Sequence, residues 1–299
     1  LEMKLLLAHL TVLDNEFNQL AWSRLLKGLK VFPTYTLSRR FVYKMRSLSM
    51  TPADVLRYEQ STYIQEFIKA FEGRDLVVFD TETTGTNPFR NDVIEIAAVR
   101  IRGGEEVLEP LDLYLHTGQP IPLMLGDKPN PMCNIYAEKE ANGLLLNVDE
   151  AMRRFAEYAE GAVVVGHNVM FDVQMIQSNS QKADFFGDSQ IVDTLKLARL
   201  LFPGMNSYRL EALLEAFSLA GENTHRAIDD VLATVSLLVH CYKKAVQVVD
   251  AQMSFLGHPK AVSFANKLRA NYKELFLDGC GRLYRLPLSD NSDTASLHL

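Results

Sequence analysis

Three observations predict an α/β fold, a mixed sheet covered by helices. Short apolar runs at 76–80 (LVVFD), 93–101 (VIEIAAVRI), 107–115 (VLEPLDLYL), 162–166 (AVVVG) and 191–193 (IVD) read as buried strands. Segments of helical period follow or separate the later runs, which is the alternation of an α/β sheet. No run of 18 or more apolar residues interrupts this pattern, so no membrane span is expected.

Each element has a local reason. Residues 3–30 read as two helices broken at Asp14-Asn15. Thr51-Pro52-Ala53-Asp54 is a helix start, with Thr as N-cap, Pro at the first helical position and an acid at the third, and the helix is expected to run to about Phe71 and stop at Gly73. Gly103-Gly104 makes a hairpin turn between the second and third strands. Residues 117–134, rich in Pro and Gly, read as a loop. Helices are expected at 149–160, after Val169, and at about 194–202, 208–219 and 226–248, while the tail from 286 is polar and weakly patterned. The resulting division is a helical flank at 1–72, a catalytic α/β domain at 73–248 and a helical C-terminal extension at 249–299.

The 299 residues carry a net charge of −6, and 47% of them are hydrophobic, which excludes wholesale disorder. The charge is unevenly divided: 1–72 is +3, 73–242 is −12 and 243–299 is +3. From Arg24 to Arg46 seven basic residues occur with no acid, interleaved with Phe32, Tyr35, Phe41 and Tyr43. Such a run suits either a nucleic-acid surface or a solvated helix face over a few core aromatics. Cys133, Cys241 and Cys280 are far apart, which argues for reduced thiols in a cytoplasmic protein and against a structural zinc site. The start at Leu1 rather than Met suggests a piece of a longer chain.

The acids of the middle block fall at informative places. Asp80 and Glu82 lie two apart at the end of a buried strand, so they point to one side and can share a hard cation. The Gly85 that closes DTETTG allows a sharp turn. In GHNVMFD (166–172), Asp172 falls in the first turn of a helix that leaves another strand end. A helix N-terminal acid favoured by the macrodipole, and a capping or core role for His167, are the plainer alternatives. In HRAIDD (225–230), His225 sits at the mouth of a helix with Asp230 about one turn in, and Asp229 is left to solvent. Asp193 reads as the N-cap of the next helix.

DTETTG, then Asp172 92 residues after Asp80, then Asp230 58 residues further on, resembles the DEDDh 3′→5′ exonuclease family, the DnaQ-like group of the bacterial polymerase proofreading subunit. The resemblance covers about 74–242. It implies an RNase H-like fold and an activity that hydrolyses DNA from 3′ ends, releasing nucleoside monophosphates in repair or replication. By the family pattern, Asp80, Glu82, Asp172 and Asp230 would hold two Mg²⁺ or Mn²⁺ ions, roughly 4 Å apart, on the scissile phosphate. Asp80 would bridge both ions, and Glu82 and Asp230 would hold the first. His225, of an unperturbed pKa of about 6.5, would take a proton from the attacking water. Thr83, Gly85, His167, Asn168 and Phe171 would contact substrate. Residues 130–143 depart from the family's usual segment, which leaves substrate detail open. An RNA exonuclease of the same fold and a non-catalytic nucleic-acid-binding module are the other classes. Residues 10–29 also resemble a segment of UvrD/Rep-type superfamily 1 helicases; without a Walker motif this piece is no ATPase, and the likeness implies a helicase domain in the same longer chain.

Overall fold

Strand β1 (Leu76–Thr83) is central because its neighbours satisfy both of its edges: β2 (Val93–Arg102) pairs antiparallel over Leu76–Ile101 to Thr83–Val93, and β8 (Val163–Gly166) pairs parallel on the other side. The computed structural model describes residues 2–180, 184–221 and 226–275. His225, Cys280 and the tail from 286 lie outside the described residues. The other members of the sheet are β3 (Glu105–Glu106), β4 (Leu111–Leu115), β7 (Leu145–Leu146) and β9 (Ile191–Asp193). The order is β7-β4-β2-β1-β8-β9, with β3 paired to β2 alone. A separate hairpin joins β5 (Met124–Leu125) to β6 (Lys128–Pro129). This mixed sheet with its helical cover is the RNase H-like arrangement that the resemblance implies.

The described residues divide into two compact units, one of Ile64–Val249 and one formed by residues up to Tyr63 together with those from Asp250 onward. In the first unit, odd positions of β1 place Val77 and Phe79 in an apolar cluster with Met152 and Phe155 of α7 (Val148–Ala159) and Val173 and Ile176 of α8 (Met170–Asn179). Strand alternation therefore turns Asp80 and Glu82 to the opposite face. At the far end of the ladder, Asp75 ties β1 to β2 through the guanidinium groups of Arg100 (2.9 Å) and Arg102. The remaining helices of this unit are most of α5 (Tyr63–Gly73), α6 (Met132–Ala141), α9 (Thr194–Leu201), α10 (Leu210–Phe217) and α11 (Ala227–Leu256) as far as Val249.

The second unit holds α1 (Glu2–Asp14), α2 (Gln19–Gly28), α3 (Tyr35–Ser47), α4 (Pro52–Arg57) and α12 (Pro259–Tyr272). Its core includes Trp22, Leu25, Leu26, Met45 and Leu268. Phe32 and Phe41 pack against this core, Phe32 stacked on Phe264 and Phe41 tilted against it, whereas all seven basic residues of 24–46 are exposed. Half of the interleaved aromatics are thus explained by packing. Replacing Arg39, Arg40 and Lys44 with Glu should weaken single-stranded DNA binding at low salt if the exposed cations form a binding face, and filter binding at several salt concentrations reads it.

The structure departs from the expected elements at five places. The single helix from Pro52 to Phe71 is two helices, because the Asp54 carboxylate accepts from the backbone N–H of both Thr51 and Tyr63 at 2.8 Å and so caps α4 and α5 together. Tyr58 between them is extended, and its carbonyl accepts from the Arg269 guanidinium at 2.6 Å. Asp54→Ala should cost about 2 kcal/mol in urea unfolding, as loss of a charged cap on one buried and one half-buried donor does. The strand expected from Val107 starts only at Leu111, since Pro110 cannot donate to the ladder. The loop at 117–134 contains the β5–β6 hairpin, whose Gly126 has φ +60° at the first central turn position. Finally, α6 occupies 132–141, and α11 continues to Leu256, past the expected end at 248. No helix among the described residues is long and apolar enough to cross a membrane.

Candidate metal centre

Asp80 and Glu82 leave the end of β1 on the face that Asp230, in the first turn of α11, approaches, and one carboxylate oxygen from each of the three lies within 4.8 Å of the others. Asp229 stays out of the cluster, with the Arg226 guanidinium 4.0 Å away. Asp172 comes from α8, on the other face of β1. Its Oδ1 accepts from the Thr81 hydroxyl at 2.7 Å and the Thr81 N–H at 3.1 Å. The odd position between the two strand-end acids thus orients the acid of the GHNVMFD motif.

The electrostatics of this cluster are unfavourable without neutralisation. Burial, then the charges of Asp172, Glu82 and Asp230, push Asp80 well above the usual carboxylate range. Burial, then Glu95 and Asp230, push Glu82 up to about 9. Burial raises Asp172 to about 7 against the lowering effect of its Thr81 bonds. Crowded carboxylates of this kind require protons or cations. An oxygen-only donor set at this spacing fits a hard divalent cation rather than zinc.

Glu95 belongs to none of the three sequence motifs. It is fully buried on β2, directly opposite Glu82 in the ladder. Its Oε2 accepts from the Ala227 N–H at 3.3 Å and its Oε1 from the Tyr114 hydroxyl at 3.2 Å. Glu95 therefore anchors the first residue of the helix that carries Asp230. The available signal was an acid in the middle of VIEIAAV, where both neighbours are apolar.

The expected substrate contacts are placed unequally. His167 and Asn168 line a cavity of about 960 Å³ that also reaches Asp80 and Asp230. Both ring nitrogens of His167 are engaged: Nε2 lies 3.0 Å from the Tyr208 carbonyl and Nδ1 2.9 Å from the Thr194 hydroxyl. A carbonyl only accepts, so Nε2 carries the proton, and burial lowers the pKa toward this neutral form. His167 thus holds the 206–210 segment to the end of β8. Asn168 adopts φ +61° and donates its N–H to Asp193 Oδ1 at 2.9 Å, the same oxygen that caps α9 through Leu195 N–H. Thr83 donates its hydroxyl to the Gly85 carbonyl at 2.8 Å. Gly85 is not in a left-handed turn, and a Cβ there would lie 2.7 Å from Asn91 Oδ1, so a larger residue would have to displace the Asn91 side chain. Phe171 packs against the apolar cluster of Phe79 and Val173.

Thr81 makes a direct prediction. Thr81→Val removes the hydroxyl that fixes Asp172 and keeps the β-branched shape, so kcat should fall about 10- to 100-fold, as loss of a group that orients a metal ligand does. Thr81→Ser should recover most of it.

A family model described as exonuclease (RNase_T) matches residues 77–238, from the start of β1 into α11. The chain belongs to the exonuclease family. It is 30% identical over 174 residues to the PolC-type DNA polymerase III of Caldanaerobacter subterraneus subsp. tengcongensis, 58% of this chain and 12% of that relative. To the PolC-type enzyme of Clostridium perfringens it is 31% identical over 176 residues, 59% of this chain and 12% of the relative. The exonuclease-family chain therefore spans about an eighth of the length of these relatives. Among solved structures it is similar to E. coli exonuclease I in complex with a dT13 oligonucleotide, at 21% identity and a TM-score of 0.47, covering 64% of this chain and 46% of that one.

Proposed function

We propose that this exonuclease-family chain hydrolyses phosphodiester bonds from the 3′ end of single-stranded DNA, one nucleoside monophosphate at a time, with Mg²⁺ or Mn²⁺ at the carboxylate cluster. The observation that carries this reading is the convergence of Asp80, Glu82 and Asp230 from two separate motifs. Asp80 and Glu82 with Asp230 would hold one ion, and Asp80 with Asp172 a second. When bound, the ions supply Lewis-acid polarisation of the scissile phosphate and lower the pKa of the attacking water. The chain itself orients the ligands, through Thr81 on Asp172 and Glu95 at the start of α11, and His225 takes the proton of the attacking water. The cavity that His167 and Asn168 line receives the terminal nucleotide.

Relatives named for DNA polymerase support DNA over RNA as the substrate. Parallel digestion of 3′-labelled single-stranded DNA, duplex DNA and RNA tests this: label should leave single-stranded DNA fastest, and preferential loss from RNA would overturn the DNA reading. Chelation should abolish release in every case, and Mn²⁺ should restore it. The helicase-like segment extends the proposal to a longer chain in which strand separation feeds 3′ ends to this site. The PolC-type relatives are themselves chains of which the match covers only 12%. Repair or replication is the setting that follows, and a native protein no larger than the 33.7 kDa of this sequence would remove the helicase part.

A further inference from the structure

The hairpin β5–β6 stands immediately before the 130–143 segment, where the chain departs from its family's pattern, and its tip lines the cavity that holds the carboxylates. Leu125, Asp127 and Lys128 line the same cavity as Asp80 and Asp230. Leu125 and Lys128 are direct cross-strand partners, so their side chains project from one face of the hairpin. Lys128 is exposed and makes no ion pair among the described residues. The cavity thus presents a solvated ammonium and an aliphatic side chain side by side, with Asp127 next to them at the turn, and is shared with Asp80 and Asp230.

The hairpin is also held in place. Buried Asn130 follows β6 and fixes its base: its N–H donates to the Leu123 carbonyl at 2.9 Å, its Nδ2 to the Pro122 carbonyl at 2.8 Å, and its Oδ1 accepts from Met132 N–H at 3.0 Å. Met132 and Tyr136 of the following helix α6 pack with Ile94, Tyr114 and Leu145 of the sheet. The two-residue turn at Gly126-Asp127 leaves little slack at the tip. A short hairpin clamped at its base presents Lys128 and Leu125 at a fixed place before substrate arrives, so little ordering cost falls on binding. The 206–210 segment, which lines the same cavity, is fixed through His167 and carries Arg209.

We propose that the β5–β6 hairpin grips the strand next to the scissile bond. Lys128 takes the backbone phosphate of the nucleotide preceding the terminal one, and Leu125 packs against the sugar or base beside it. The inference rests on the exonuclease reading above and adds a subsite to it. A single phosphate held by one lysine is the unit of salt-dependent binding, and an adjacent apolar surface suits the sugar edge or base face of any nucleotide, so the grip is insensitive to sequence.

The test compares two substrates with Lys128→Ala and Lys128→Glu in the full chain. One substrate is a single-stranded oligodeoxynucleotide; the other is the p-nitrophenyl ester of thymidine 5′-monophosphate, which carries a terminal nucleotide but no preceding phosphate. The ratio of kcat/KM for oligonucleotide to that for ester should fall about tenfold in Lys128→Ala, through KM, as loss of one charged contact implies. It should fall further in Lys128→Glu. The slope of log(kcat/KM) against log salt should become shallower by about 0.7, one single-strand phosphate contact. An unchanged ratio, or equal loss on both substrates, would overturn the hairpin's role and leave the exonuclease reading standing. A parent chain that hydrolyses neither substrate would instead overturn the exonuclease reading, and the hairpin's role with it.

Discussion

Asp80→Asn should lower the rate of nucleotide release by about 10³-fold or more, because it removes several kcal/mol of the charge stabilisation that a bound cation gives the transition state. The same change should raise the stability of the cation-free protein. Asp80 is pressed by Asp172, Glu82 and Asp230 in a buried site, and a neutral amide of the same shape relieves that crowding. A gain of about 1 kcal/mol would appear as a rise in Tm of ~2–4 °C for a domain of this size. Activity and stability therefore move in opposite directions, which a merely structural acid would not do. Mn²⁺ at a hundredfold excess over its Kd should stabilise the parent by about 2.7 kcal/mol, and this stabilisation should be largely lost in Asp80→Asn. Thermal melts with and without Mn²⁺, beside the rate, check all three parts.

His225→Gln should cost about 10²–10⁴-fold in kcat, the usual contribution of a positioned general base. Unlike Asp80→Asn, it should keep the stabilisation by Mn²⁺, since the ligand carboxylates are intact. The pair of variants separates two tasks within one site: holding cations and accepting the proton of water. A His225→Gln protein that loses the Mn²⁺ effect would make His225 a ligand instead, and one that keeps full kcat would remove it from the chemistry.

The strand ends were legible because their chemistry is local. Asp80 and Glu82 share a face by simple alternation, and Asp193 caps α9 as its place before a helix suggests. Asp230 rather than Asp229 reaches the cluster, as helical phase requires. What escaped the sequence depends on partners far along the chain. Glu95 matters because Glu82 lies across the ladder and Ala227 starts a helix 132 residues later. The break between α4 and α5 needs Asp54 to serve two N–H groups at once, with Arg269 taking the intervening carbonyls of Tyr58 and Glu59. Local propensity at Thr51-Pro52 marks the start of a helix but says nothing of such a stop. The hairpin at 124–129 has the sequence of a loop because two-residue strands carry no detectable period. His167 shows a subtler limit: its motif pointed to the substrate groove, and it does line the cavity, but both its nitrogens hold the fold together.

The most direct test follows the length of a 5′-labelled single-stranded oligodeoxynucleotide over time, with Mg²⁺ or Mn²⁺, for the parent chain and for Asp80→Asn at equal concentration. A divalent-cation-dependent 3′→5′ exonuclease centred on Asp80, Glu82 and Asp230 predicts a ladder shortened one nucleotide at a time in the parent, absent with chelator and absent in Asp80→Asn. A folded parent that yields no ladder, or an Asp80→Asn protein that yields the same ladder as the parent, would contradict it.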